Sequence, residues 1–177
     1  MKYLKPLDFY NEIFKDILKK RDYVHSGRLL GLEVSDKYVS FAVSDCKNKT
    51  AVPLRILDGQ ENNLSSMAAD IIQSLIREYN IVGFVVCTRE TNPIDAQTQI
   101  FIDDLFKTQI FEGLKYTDYA STSKNEEFVF KQHMKFVSEN LPQPPPQDMS
   151  KTIMENSYVV YALQGYLNFT NKMAKED

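Results

Sequence analysis

Residues 81–87, with the sequence IVGFVVC, form an unbroken apolar run of strand length. A run without alternating polar side chains is typical of a strand that is buried on both faces of a parallel sheet. Such a strand needs helices on both sides of the sheet and crossover connections to its parallel neighbours. The run therefore predicts an α/β fold with this segment at the centre of the sheet.

The segments before this run predict antiparallel strands. Arg28–Val34 and Tyr38–Ser44 are two strands of a hairpin, and the second alternates polar and apolar side chains. A third strand is expected over residues 50–57, where Pro53 indicates an edge or a bulge because proline cannot donate to a ladder. The chain therefore opens with hairpins.

Helices and one more strand complete the predicted architecture. Apolar residues recur at helical spacing in four stretches, namely residues 6–21, 64–79, 93–105 and 150–171, and a capping-box pattern predicts a helix over residues 123–136. A further strand is expected over residues 114–119. The order predicts a mixed five-stranded sheet flanked by helices. We divide the chain into an N-terminal amphipathic helix and lead-in (1–27), one domain (28–171) and a C-terminal tail (172–177).

Charge and cysteine content exclude several classes of protein. The 177 residues carry 21 Lys and Arg against 24 Asp and Glu, so nucleic-acid binding would require a local basic patch. Two cysteines without CxxC spacing indicate neither a disulfide framework nor a zinc site. The chain has no signal-like N-terminus and no membrane-length apolar run, so we expect an intracellular protein, cytoplasmic or nuclear, with an organelle left open.

Glu33 is the most unusual residue of the predicted sheet, because it interrupts the apolar strand Arg28–Val34. An isolated buried carboxylate costs several kcal/mol unless a metal or a charge compensates it. Two interpretations remain open. Glu33 belongs to a functional or relic metal site, or it lies at a sheet edge and reaches water.

The order of several motifs resembles the YqgF/RuvX group of Holliday-junction resolvase-like proteins, also described as pre-16S rRNA nucleases, within the ribonuclease H superfamily. The segments that carry the resemblance are residues 30–34 (LGLEV), 42–45 (AVSD), 52–54 (VPL), 82–86 (VGFVV), 122–124 (TSK) and 163–167 (LQGYL). Residues 101–105 (FIDDL) and 113–116 (GLKY) look like the plant branch of that group. The resemblance implies a ribonuclease H-like fold.

The resemblance also implies a carboxylate site for Mg²⁺ or Mn²⁺ that hydrolyses phosphodiester bonds. The first-strand aspartate of the family falls at Glu33, and the last-helix aspartate falls at Glu155. Both side chains are one methylene longer, which adds about 1.5 Å of reach. The family's second-site Asp-Glu pair falls at Asp118 and Tyr119, so Asp118 could serve as the third acid only if the strand register slips.

Two turns also depart from the family pattern. The glycine after the first acidic strand becomes Ser35, and a Gly-x-Pro loop becomes residues 87–89 (CTR). Glycine allows a phosphate to approach the backbone closely, and the side chains at these positions prevent that approach. Candidate phosphate contacts are Lys37, Arg89, Lys124 and Lys151.

Three functions follow for testing. The first is a metal-dependent nuclease acting on structured RNA or branched DNA, with Glu33, Asp118 and Glu155 as catalytic and metal-binding residues. The second is a catalytically degenerate module that binds nucleic acid or protein. The third, an actin-like or sugar-kinase-like nucleotide binder, is disfavoured because those folds need two lobes. A homodimer and a partner module for the proline-rich residues 141–147 remain open, and no membrane partner is expected.

Overall fold

A computed structural model describes residues 1–20, 26–35, 38–58, 64–89, 94, 96–108, 111–121 and 147–176. Within these ranges the side chains of Leu64, Arg89, Phe106, Ser121 and residues 147–157 are not described. The predicted helix 123–136 and the proline-rich residues 141–146 lie outside the described part of the chain.

A mixed sheet flanked by helices forms the body of the protein, as predicted. Its strands are β1 (Lys2–Tyr3), β2 (Arg28–Val34), β3 (Tyr38–Ser44), β4 (Ala51–Asp58), β5 (Ile81–Arg89) and β6 (Lys115–Ser121). They are arranged in the order β1-β6-β5-β2-β3-β4. The pairs β2/β3 and β3/β4 are antiparallel, whereas β5 pairs in parallel with β2 and β6. β5 is therefore central, and Pro53 lies on the edge strand β4.

The sheet has six strands rather than the predicted five, because residues 2–3 add the short strand β1 to the edge of β6. The backbone N–H of Lys2 donates to the carbonyl of Leu114 at 3.1 Å, and that of Leu4 donates to Tyr116 at 2.9 Å. A two-residue strand carries no readable periodicity. Its pairing is visible only in three dimensions.

The N-terminal helix is built from α1 (Pro6–Phe9), a π-helical segment (Tyr10–Phe14) and α2 (Lys15–Lys20). The wider π turn departs from the α-helical spacing that the sequence predicts. Phe9, Tyr10 and Phe14 are all fully buried. They pack with the last helix in one hydrophobic core on a single face of the sheet.

The remaining helices are α3 (Leu64–Tyr79), α4 (Ala96–Phe106) and α5 (Gln147–Glu176). α3 and α4 cover one face of the sheet, and α5 covers the other together with the N-terminal helix. α5 begins at Gln147 and continues to Glu176, so residues 172–176 of the expected tail are helical. No described helix combines the length and apolar character that a membrane crossing requires.

Gly31 lets α5 approach the centre of the sheet. A Cβ atom at this position would lie 3.2 Å from Val159 Cγ2 and 3.4 Å from Leu163 Cβ. Further along, the Asn171 side-chain amide donates to the carbonyl of Asn48 at 2.8 Å, and the Asn48 amide donates to that of Gly27 at 2.9 Å. α5 therefore runs opposite to β2, with its C-terminal end at the start of that strand.

Candidate functional site

Glu33 lies in the inner strand β2, with β3 on one side and β5 on the other. Its side chain is buried, with 4% of its surface exposed. The Tyr38 hydroxyl donates to Oε1 and the Ser40 hydroxyl donates to Oε2, both at 3.3 Å. The interpretation that Glu33 reaches water at a sheet edge is wrong, because neither β2 nor this side chain is peripheral.

A row of side chains crosses the sheet at the level of Glu33. Ser40 pairs with Glu33 across β2/β3, and Cys87 pairs with Tyr119 across β5/β6. Because Leu32 pairs with Val86, continuing the same register by one residue sets Glu33 beside Cys87. Side chains in one lateral row share a face of the sheet. Ser40, Glu33, Cys87 and Tyr119 therefore form a row that faces α5.

Cys87 and Tyr119 fill this row with groups other than carboxylates. The Cys87 thiol is buried and donates to the carbonyl of Tyr158 in α5 at 3.4 Å. The Tyr119 ring packs on Tyr166 and Phe169, with ring centroids 5.4 and 6.1 Å away. Burial raises the pKa of the Tyr119 phenol above its usual value. Tyr119 is thus an uncharged part of an aromatic cluster at the position that matches the family's glutamate.

Asp118 lies on the opposite face of the sheet from Glu33. Its neighbour two residues earlier, Tyr116, belongs to the core beneath α3 and α4, and the β5/β6 register is regular throughout. Asp118 accepts a hydrogen bond of 2.6 Å from the Tyr3 hydroxyl. The structure therefore does not bring Asp118 to Glu33, because no register slip reverses the strand alternation.

Glu155 belongs to α5, and its side chain lies outside the described part. The helix passes over Gly31 at Val159 and Leu163, and its N-terminal direction points towards the end of β2 that carries Glu33. Position 155 lies about one helical turn before Val159. The backbone therefore places position 155 on the Glu33 side of the helix crossing.

The candidate phosphate contacts are not testable from the described side chains. Lys37 and Lys124 lie outside the described residues. Arg89 ends β5 and Lys151 lies in α5, in both cases without a described side chain. Their roles stay predictions.

The two departures from the family turns each have a structural explanation. The Ser35 hydroxyl accepts from the Tyr38 backbone N–H at 3.0 Å and donates to the Tyr38 carbonyl at 3.1 Å, which closes the β2/β3 turn. In place of the Gly-x-Pro loop, β5 continues to Arg89, which pairs with Ser121. Side-chain hydrogen bonds and strand pairing therefore occupy the backbone at these two positions.

Comparison with solved structures identifies the architecture. Thermus thermophilus RuvC matches with a TM-score of 0.50 and 9% sequence identity, over 79% of this chain and 93% of that chain. The chain has a ribonuclease H-like fold. RuvC in complex with a Holliday junction substrate gives a TM-score of 0.48 at 11% identity, over 80% of this chain and 94% of that chain. The Fowlpox virus resolvase in complex with Holliday junction DNA gives 0.38 at 10%, over 84% and 97%. No known family model and no curated protein matches the chain.

The described residues around Glu33 do not fit a pair of hard cations. Mg²⁺ and Mn²⁺ prefer carboxylate oxygens, whereas the row beside Glu33 continues with a thiol and a neutral phenol. Among the described residues, no three His, Cys, Asp or Glu side chains converge as metal ligands. Glu33 is the single carboxylate that the described residues place in this row.

Sequence reasoning missed the immediate partners of Glu33. Tyr38 and Ser40 share its face because an antiparallel hairpin sets same-face residues opposite one another, so the hairpin pattern contained this signal. The sequence singled out Cys87 only because residues 87–89 stand where the YqgF/RuvX group has a Gly-x-Pro loop. Its position beside Glu33 depends on the parallel β2/β5 register, which no local pattern reveals.

Proposed function

We propose that this chain is a nucleic-acid-binding protein of the YqgF/RuvX type, with structured RNA or branched DNA as its ligand and without two-metal phosphodiester cleavage. The observation that carries the proposal is the row beside Glu33, in which Tyr119 occupies the side that would need a second carboxylate. The ribonuclease H-like fold that the chain shares with RuvC, together with the resemblance of its motifs to the YqgF/RuvX group, supports the ligand class. This combination corresponds to a degenerate ribonuclease H-like module.

The chemistry of hydrolysis explains why the row matters. Two cations about 4 Å apart activate a water molecule and stabilise the leaving oxygen, and each needs oxygen ligands that are placed accurately. Asp118 cannot contribute from the far face without reversing its strand. A half-buried neutral phenol at Tyr119 holds no hard cation at neutral pH, because partial burial raises its pKa further above neutrality.

Metal-dependent cleavage by Glu33 and Glu155 is the second candidate function. The backbone position of residue 155, on the Glu33 side of the helix crossing, favours it, because two carboxylates from distant segments would then approach one another. In that case Mg²⁺ or Mn²⁺ would supply an activated water for hydrolysis. The two candidates differ in turnover rather than in ligand.

The deciding experiment measures binding and cleavage on the same substrates. Labelled four-way DNA junctions and structured RNA are incubated with wild type, Glu33→Gln or Glu155→Gln, with Mg²⁺, Mn²⁺ or EDTA. We expect all three proteins to bind these substrates. With Mg²⁺ or Mn²⁺, none of them should cleave more than the background that is measured in EDTA. Metal-dependent cleavage that both substitutions abolish would establish the second candidate instead. Failure of the folded wild type to bind either substrate would refute both.

Several expectations about context stay predictions. They are a homodimer, a partner for the proline-rich residues 141–147, and action in the cytoplasm, nucleus or an organelle. Sedimentation of the purified chain tests the first of them directly.

A further inference from the structure

Three lysine-bearing segments meet at the end of the sheet where β2 begins. The β3/β4 turn is attached to α5 by the Gln164 amide, which donates to the carbonyl of Lys49 at 2.9 Å, and by Asn171, which donates to the carbonyl of Asn48. α2 packs against α5. We call this surface the lysine end, and it comprises Lys19, Lys20, Lys47, Lys49, Lys172 and Lys175.

The lysine end differs in charge from the molecule as a whole. The three segments, residues 15–20, 45–50 and 172–176, contain seven lysines and three carboxylates. The complete chain has more acidic than basic residues, with 24 Asp and Glu against 21 Lys and Arg. Lys19, Lys20, Lys49, Lys172 and Lys175 are exposed. Among the residues that the structure describes, positive charge is therefore concentrated at the lysine end.

Helix stability accounts for only part of this concentration. Lysines in the last turn of a helix interact favourably with its dipole, which explains those at the ends of α2 and α5. Lys47 and Lys49 lie in the β3/β4 connection, where no helix dipole favours them. The one carboxylate of residues 45–50, Asp45, accepts from the backbone N–H groups of Lys49 and Thr50 and so shapes the turn. The lysines of this connection therefore add positive charge beside the helix ends.

We infer that the lysine end is the surface that binds the nucleic-acid phosphate backbone, an inference that rests on the proposed function. Clustered lysines bind phosphates by releasing condensed counterions. Glu33 lies near the opposite end of β2, about 20 Å away at the rise of an extended strand. The lysine end therefore binds phosphates that are separate from any phosphate at Glu33.

The test compares paired substitutions with a matched control. Lys172→Gln with Lys175→Gln removes two charges from α5, and Lys19→Gln with Lys20→Gln removes two from α2. The control, Arg77→Gln with Lys107→Gln, removes two exposed charges from α3 and the end of α4, on the other face of the sheet. Circular dichroism checks the fold of each protein.

Fluorescence anisotropy then gives the Kd for a labelled four-way DNA junction between about 50 and 200 mM salt. Each lysine pair should lower the slope of log K against log salt by about 1.5, because one phosphate contact contributes about 0.7 to 0.9. The control should retain the wild-type slope. Equal slopes for wild type and both lysine pairs would overturn the inference while the proposed function stands.

Two other results are also decisive. If the folded wild type binds no junction and no structured RNA, the proposed function fails and the inference fails with it. If the chain binds phosphatidylserine vesicles through the same lysines but no nucleic acid, the lysine end recognises a lipid surface and the inference is overturned.

Discussion

Gly83→Ala tests how the N-terminal helix is seated on the sheet. A Cβ atom at position 83 would lie 2.5 Å from Phe9 Cζ and 2.9 Å from Phe9 Cε2. The backbone oxygen of Lys115 would be 3.2 Å away, and it belongs to the β5/β6 pairing. Since the sheet cannot yield cheaply, the Phe9 ring has to move and take its helix with it.

The expected cost follows from the packing of Phe9. The ring is fully buried and lies edge to face with Tyr166, with centroids 6.0 Å apart. Overpacking of a filled core costs about 1–3 kcal/mol. For a chain of this length each kcal/mol lowers the Tm by about 2–4 °C. We therefore expect Gly83→Ala to unfold roughly 2–12 °C below wild type.

A double-mutant cycle followed by thermal and urea unfolding measures the effect. Phe9→Leu removes the ring atoms that the new methyl would strike, so Gly83→Ala with Phe9→Leu should be more stable than the sum of the single changes by about 1 kcal/mol. Gly31→Ala is the control, because its nearest contact is 3.2 Å, and it should cost less. A Gly83→Ala protein as stable as wild type, or strictly additive free energies, would refute the reasoning.

Three further predictions concern the edge of the sheet, α5 and alkaline pH. Tyr3→Phe removes the donor to Asp118 and should cost about 1 kcal/mol while speeding amide exchange in β1, whereas unchanged exchange would contradict it. Gln164→Leu leaves the buried N–H of Ala51 unpaired and should cost about 1–3 kcal/mol in urea unfolding, and a neutral effect would contradict that. Burial raises the pKa of Tyr166, so the folded state holds its proton more tightly than the unfolded chain. The contribution of this proton to the free energy of unfolding should be fully present below about pH 10 and be lost as the pH rises above it. Urea unfolding from about pH 8 to 11 measures this loss, which should be less steep in Tyr166→Phe.

Elements whose hydrophobic pattern extends over many residues were predictable from the sequence. Strands Arg28–Val34 and Tyr38–Ser44 have the predicted bounds. The first is a nearly continuous apolar segment, the second alternates polar and apolar residues, and turn residues separate the two. The central position of β5 followed from its unbroken apolar run. Strand alternation alone predicted that Asp118 and Tyr119 lie on opposite faces of the sheet, and the hydrogen bond from Tyr3 to Asp118 agrees with this.

Features that depend on a distant partner were not predictable. β1 consists of two residues whose pairing is set by β6, far along the chain. The π-helical segment buries Tyr10 and Phe14 together, although α-helical spacing alone does not predict it. The bounds of α5 were also missed at both ends, since helix ends carry weak local signals.

The sequence by itself determined the order of strands β2 to β6 and of helices α3, α4 and α5, the mixed sheet, and the presence of one carboxylate, Glu33, inside an apolar strand. Only the tertiary structure decided what lies beside that carboxylate. Periodicity is a property of neighbours along the chain, whereas the row of Ser40, Glu33, Cys87 and Tyr119 joins four strands through their registers. Register is set by the packing of whole strands, so the composition of the site emerges only when the sheet is assembled.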